Sequence, residues 1–315
     1  RQTTIQGDFR KFSYAGNTLY GVGYDLGRES FVLKSTDLGN NWSFASSQQF
    51  LPNDNLTAIF FVNELTGWVA GSGGRILKTT DGGNSWINQT DSSFYIGGIN
   101  DLYFKDVNNG FASGASSLGK TILRTTNGGT TWTGIDGLPT NTLYNMYWKD
   151  NNNAWVVGTS VTFHRTTDGG NTWTTSTVTG GTGTLFDIKE AGNNTFYMAG
   201  ASGRVYKSTD GGITFSQAGL TGTGGALYAV ESIDESTIIA AGSNGFTAKT
   251  TNGGTSWTEI PNFTTEVIRT SWKQNNLILL GAYRSSLYST TDTGITWNKL
   301  TDSFRDFYGV DVAPN

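Results

Sequence analysis

Apolar residues along the chain come in short runs, bounded by turns rich in Gly, Asn, Asp and Ser. The stretch 58–88 shows the pattern: AIFFV at 58–62, GWVAG at 67–71, RILK at 75–78, then a return led by Trp86. Runs of this length, rich in Val, Ile, Phe and Trp, read as strands. None approaches the roughly 18 apolar residues of a transmembrane helix. Four short strands in about 42 residues form one unit, and the unit recurs.

The recurrence is carried by a motif, Ser/Thr-Thr-Asp/Asn-x-Gly-x-polar-aromatic, found at 35–42, 79–86, 125–132, 166–173, 208–215, 250–257 and 290–297. Its acid or amide is Asp37, Asp81, Asn127, Asp168, Asp210, Asn252 and Asp292. Its aromatic is Trp42, Trp86, Trp132, Trp173, Phe215, Trp257 and Trp297. Asp or Asn bonds the backbone two residues on and starts a turn. Gly two positions later supplies the positive φ that closes it, and the neighbouring hydroxyls cap turn amides. Each copy predicts a self-capped hairpin with the aromatic packed over the turn.

Seven such units of four strands predict an all-β fold, a seven-bladed propeller of four-stranded antiparallel blades forming a single domain over 1–315. The second strand of each unit is expected to end in Gly: Gly23, Gly71, Gly114, Gly158, Gly200, Gly242 and Gly281. That fits the crowded inner part of a radial array. The inner-strand pattern occurs eight times, because both 12–15 (FSYA) and 308–313 (YGVDVA) match it. Seven blades closed where the termini meet is the reading adopted; a native chain continuing past 315 would allow eight.

Composition narrows function. Charged residues are only 15% and the formal net charge is −4, which argues against nucleic acid as a partner. With no Cys there is no disulfide, thiolate metal site or Cys nucleophile. The only His is His164, so no Ser–His–Asp machinery is expected, and packing between blades is its expected role. No metal cluster, phosphate loop or dinucleotide fingerprint is present; no cofactor is expected. A vocabulary of Thr, Ser, Asn and Gly with few Lys suggests a secreted, periplasmic or cell-surface protein.

The motifs STDLGNNW at 35–42, TTDGGNSW at 79–86 and TTDGGNTW at 166–173 resemble the Asp-box, or BNR repeat, of sialidases, xyloglucan-active glucanases, sortilin-type receptors and photosystem II assembly-factor-like proteins. The phrase GWVAGSGGRILKTTDGGNSW at 67–86 most resembles the last group. The likeness covers nearly the whole chain and speaks for fold more than function. A sialidase would bring an arginine triad, a Tyr–Glu pair and an acidic Asp, yet the Arg-Ile-Pro segment of that family is absent. Hydrolysis would need two opposed carboxylates; Asp101, Asp187, Glu231 and Asp234 lie on or near expected inner strands.

The favoured reading is a non-enzymatic protein-interaction scaffold, binding through the loop face opposite the Asp-boxes. Carbohydrate binding or glycoside hydrolysis is the alternative. Candidate partner-binding cations sit between second and third strands: Arg28, Arg75, Lys120, Arg204 and Arg284. Arginine forks suit partner carboxylates. The photosystem resemblance implies an arginine-rich recognition patch, with Arg75 and Arg204 as its best matches and Thr162 and Phe246 as departures. Phe94 and Tyr95 offer aromatic anchors in an otherwise polar loop. Trp148 and Trp272 end inner strands and are expected to pack in the core. A second cation series, Lys34, Lys78, Arg124, Arg165, Lys207 and Lys249, precedes the boxes; its regularity suggests stems lying over neighbouring blades.

Overall fold

In the computed structural model, every repeat becomes a sheet of four consecutive antiparallel strands, hydrogen-bonded in chain order from inside to outside. The described residues are 7–25, 30–46, 50, 54–90, 96–116, 119–220 and 224–300. The blades span 7–44, 56–88, 96–134, 143–177, 185–217, 227–259 and 268–300. Each inner strand packs on the next, and Ile268–Gln274 of blade 7 closes the ring against Gly7–Ala15 of blade 1. FSYA is therefore part of an inner strand whose blade is completed by the strands that follow it. The second match, 308–313, lies outside the described residues. Among the described residues no helix is long and apolar enough to cross a membrane.

The core lies between blades. Trp68 of blade 2 stacks on Phe104 of blade 3 at 3.5 Å, and Trp132 meets Phe104 edge-on. Tyr20 of blade 1 stacks on Phe61 of blade 2 at 3.7 Å. Such pairs bury large flat surfaces in preferred geometries.

The closing Gly of each Asp-box has a second reason beyond its turn. It accepts the second-strand side chain of the preceding blade: Leu279 on Gly39, Tyr20 on Gly83, Trp68 on Gly129, Phe111 on Gly170, Trp155 on Gly212, Tyr197 on Gly254 and Ile239 on Gly294. At Gly212 φ is 70°, and a Cβ would stand 2.3 Å from Trp155 Nε1. The same indole donates to the Gly212 carbonyl at 3.0 Å. Sequence alone suggests the turn; the interlock between blades appears only in three dimensions.

The second cation series completes this interlock. Lys78 donates to Gly128 O at 3.3 Å, Arg124 to Asn171 Oδ1 at 2.6 Å, Lys207 to Gly253 O at 2.8 Å and Lys249 to Thr293 O at 2.7 Å, each reaching the next blade's box. Lys34 likewise reaches Asn84 at 3.3 Å. Arg165 lies over Trp155 of its own blade instead, 5.6 Å from the ring centroid. His164 is fully buried. It shares a 2.9 Å hydrogen bond with Thr175 inside its own blade, and burial holds its imidazole down to about 4.

Candidate functional site

Antiparallel order puts the Asp-boxes and the turns after the inner strands at one end of the ring. The loops between second and third strands and the connections between blades lie at the other end. The boxes are saturated among themselves. In blade 4 the Thr166 hydroxyl donates to Asp168 Oδ1 at 2.8 Å and accepts the Gly170 amide at 2.9 Å; the Thr172 amide and hydroxyl then close on the same carboxylate. Blades 3 and 6 carry Asn127 and Asn252, and there the polarity reverses: the side-chain amide donates to Thr131 and Ser256 at 2.8 Å. At Asp81 and Asp168 the hydroxyl bonds from Ser85 and Thr172 pull the carboxyl down to about 2. At Asp210 slight burial opposes, and the bonds from Ser208 and Thr214 still bring it to about 2. A carboxylate held this way caps a turn and is kept ionised by its donors, which makes it a poor proton donor.

The other end is built differently. Each of the seven inner strands carries a bulge against its second strand at the same level. The residues left unpaired are Arg10, Thr57, Asn100, Tyr144, Phe186, Tyr228 and Arg269. All seven line one axial cavity of about 250 Å³. Bulges re-aim side chains, and here they form a ring around the mouth. In six blades a second-strand Gly faces the bulge and leaves it room: at Gly114 a Cβ would stand 1.9 Å from the Gly98 carbonyl, and at Gly242 it would stand 2.1 Å from that of Ala226. Blade 7 departs from the expected pattern, with Ala282 in register opposite Ile268 and Gly281 one residue earlier.

The mouth is asymmetric. Thr57 donates to Ile99 O at 2.5 Å and Asn100 to Leu143 O at 2.7 Å, so blades 2 and 3 tie polar side chains to the next strand. Over blades 4 to 6 three aromatics replace them. Tyr144 meets Phe186 at 5.3 Å, and Phe186 meets Tyr228 at 4.8 Å. Arg269 lies 4.4 Å over the Tyr228 ring. Across the seam between blades 7 and 1, Arg10 pairs with Asp8 at 2.8 Å and lies 4.5 Å over Tyr24.

Below the mouth sit the carboxylates that a hydrolase would need. Asp101 is 1% exposed and accepts Lys11 Nζ at 2.8 Å, the Leu102 amide at 2.8 Å and the Met146 amide at 2.7 Å. Asp187 accepts the Ile188 amide at 2.9 Å and the Val230 amide at 3.0 Å. Both clamp one inner strand to the next, which commits their oxygens to backbone. Lys189 also lines the cavity. Burial alone would lower its ammonium, but Glu231, Asp187 and Asp101 outweigh this and lift it above the usual range. Asp234 lies elsewhere, capping the Ser236 and Thr237 amides at 2.8 Å in the turn after its inner strand.

The other candidate cations and aromatics are dispersed. Arg75 approaches Asp54 at 3.4 Å, Lys120 pairs with Asp136, and Arg204 donates to Thr182. Arg284 is exposed, in a left-handed turn at φ 59°. Arg28, Phe94 and Tyr95 lie outside the described residues. Trp148 stacks on Tyr103 at 4.7 Å. Trp272 packs on Tyr14 at 5.5 Å against the core between blades 7 and 1, as expected, and also lines the axial cavity. The axial arginines, Arg10 and Arg269, were not among the candidates; the recurring second-strand Gly was the one signal that something approached the inner strand closely.

Seven self-capped hairpins on a seven-bladed ring define an Asp-box propeller. A family model described as photosynthesis system II assembly factor YCF48 matches residues 134–275. Solved structures agree on the shape. YCF48 bound to a D1 peptide is 15% identical with a TM-score of 0.73, covering 91% of this chain and 94% of that one. YCF48 from Cyanidioschyzon merolae is 15% identical with a TM-score of 0.66, covering 90% and 95%. The GH74 enzyme of Niastella koreensis is 15% identical with a TM-score of 0.58, covering 93% of this chain and 65% of that one. No curated protein matches the sequence. The chain is thus an Asp-box propeller like the photosystem II assembly factor.

Proposed function

We propose that this protein is a non-enzymatic interaction scaffold that takes a partner polypeptide on the face opposite its Asp-boxes. One observation carries the reading. The bulge ring opens mixed polar and aromatic groups on that face, while Asp101 and Asp187 on the axis are committed to backbone clamps. A solved propeller of matching shape, YCF48, holds a D1 peptide, which supports a peptide as the kind of partner. Arg75, Arg204, Lys120 and Arg284, with Arg28, Phe94 and Tyr95, are proposed to form the outer part of the same surface. An exported or cell-surface location belongs to the proposal and rests on the Thr-, Ser-, Asn- and Gly-rich composition; fractionation of the producing cells tests it.

The alternative is a sugar ligand. The Tyr144–Phe186–Tyr228 arc could serve as a stacking platform, and a GH74 enzyme shares the fold. Hydrogen exchange on the protein with its captured partner separates the readings. Protection confined to the inter-blade face supports the scaffold, and protection on the Asp-box rim overturns it. Turnover of xyloglucan or sialoside probes would move the assignment to an enzyme.

A further inference from the structure

One cation of the axial mouth, Arg269, is left without an ion pair among the described residues. Arg269 forms no ion pair with any described carboxylate, its buried Nε has no hydrogen-bond partner, and its described ring contact is the face of Tyr228. The acids nearby make no ion pair with it: Glu266 leaves a buried Oε2 unbonded, and Asp8 acts on Arg269 only through its field. Asp8 is held by Arg10 and the Arg284 amide, Asp187 by two backbone amides, and Asp101 by Lys11 and two amides. A desolvated guanidinium is stabilised by a planar acceptor that matches its fork. Next to it, Tyr144, Phe186 and Tyr228 are each half-buried and line the cavity, so part of each ring faces the open volume. The cavity, about 250 Å³, is below the roughly 300–1,000 Å³ of sites that enclose a drug-sized ligand. It has room for one ring-sized group rather than a folded segment.

We propose that the axial mouth is an anchor site for a carboxylate carried beside a flat apolar ring. The carboxylate sits on Arg269, within the field of Arg10 and Lys189, and the ring lies on the Tyr144–Phe186–Tyr228 arc. Such a group has two sources: an aromatic residue of a partner chain with an acidic side chain or terminus beside it, or a free aromatic acid. The proposal deepens the interaction-scaffold reading and rests on it for the polypeptide source.

The test is titration of the purified protein, read by calorimetry and by intrinsic tryptophan fluorescence. The probes are acetyl-Gly-Gly-Phe as free acid, the same peptide as amide, and phenylacetate. The acid is expected to bind about tenfold or more tighter than the amide, the loss expected for an unmet charged hydrogen bond. Arg269→Gln should erase that difference, and Phe186→Leu should weaken acid and amide alike. A peptide acid that outbinds phenylacetate assigns the site to a partner chain; equal affinities assign it to a free acid. Acid and amide binding equally, or no saturation by any probe up to about 10 mM, overturns the anchor. The comparison of acid with amide uses the unaltered protein, so it stands even if a variant fails to fold. A null titration alongside a partner footprint on the same face removes the anchor alone, whereas a footprint on the Asp-box rim removes the scaffold reading.

Discussion

The rim and the axis of this ring use repetition in opposite ways. At the rim, seven Asp-boxes repeat both backbone and side chains, and even Asn127 and Asn252 rebuild the same turn with the hydrogen-bond polarity reversed. At the axis, seven bulges repeat the backbone alone and place seven positions in one ring, filled by two Arg, two Tyr, Phe, Thr and Asn. Where the side chain is repeated, the repeat itself requires it: the box holds its own turn and receives the preceding blade. Where only the backbone is repeated, the side chains are free to differ, and recognition can be written there.

The sharpest way to break the contrast is at a box glycine. Gly212→Ala adds a Cβ at positive φ against the Trp155 indole. Strain and overpacking together are expected to cost about 3 kcal/mol or more, read as a lower urea midpoint. A loss below about 1 kcal/mol would mean that the interlock is dispensable.

The axial carboxylates come next. Asp187→Ala leaves the Ile188 and Val230 amides without their acceptor, an expected loss of about 2 kcal/mol in the same assay. A variant as stable as the parent would contradict the clamp role and reopen a chemical one.

Acid should expose the rim. The box carboxylates at Asp81, Asp168 and Asp210 titrate near 2 when folded, against about 3.9 in an unfolded chain. A depressed folded value contributes stability that is fully present above pH 4 and is lost as pH falls towards 2. Urea melts across this range should show the decline, and Asp→Asn at the three sites should flatten it. An unchanged slope would put the acid sensitivity elsewhere.

The smallest effect is a gain. Leu38 is 38% exposed and holds φ 59° at a box position where five other copies have Gly. Leu38→Gly relieves left-handed strain of roughly 1–2 kcal/mol and gives part of it back as chain entropy, so a net gain of up to about 1 kcal/mol is expected. A lower melting temperature would show that Leu38 makes an apolar contact the turn needs.

The rim was legible in the sequence because its physics is local. The hydroxyl of Thr166, the carboxylate of Asp168 and the backbone of Gly170 fall within five residues, so spacing alone conveys the turn. The axis was legible only as a hint. No residue type marks a bulge, since Arg10 and Phe186 occupy equivalent places, and only the facing second-strand Gly recurs. Pairings such as Arg75 with Asp54 and Asp101 with Met146 join separate turns or separate blades, and nothing in the local pattern announces them.

The claim that the rim is scaffold and the opposite mouth is the recognition surface has a direct test. A photo-crosslinking phenylalanine analogue is placed at Phe186, in the mouth, and separately at Ile295, which is 72% exposed on an Asp-box. The protein is then illuminated in the cells that make it. The account predicts one discrete crosslinked partner from position 186 and none from position 295. The same partner captured from 295, with nothing from 186, would contradict it.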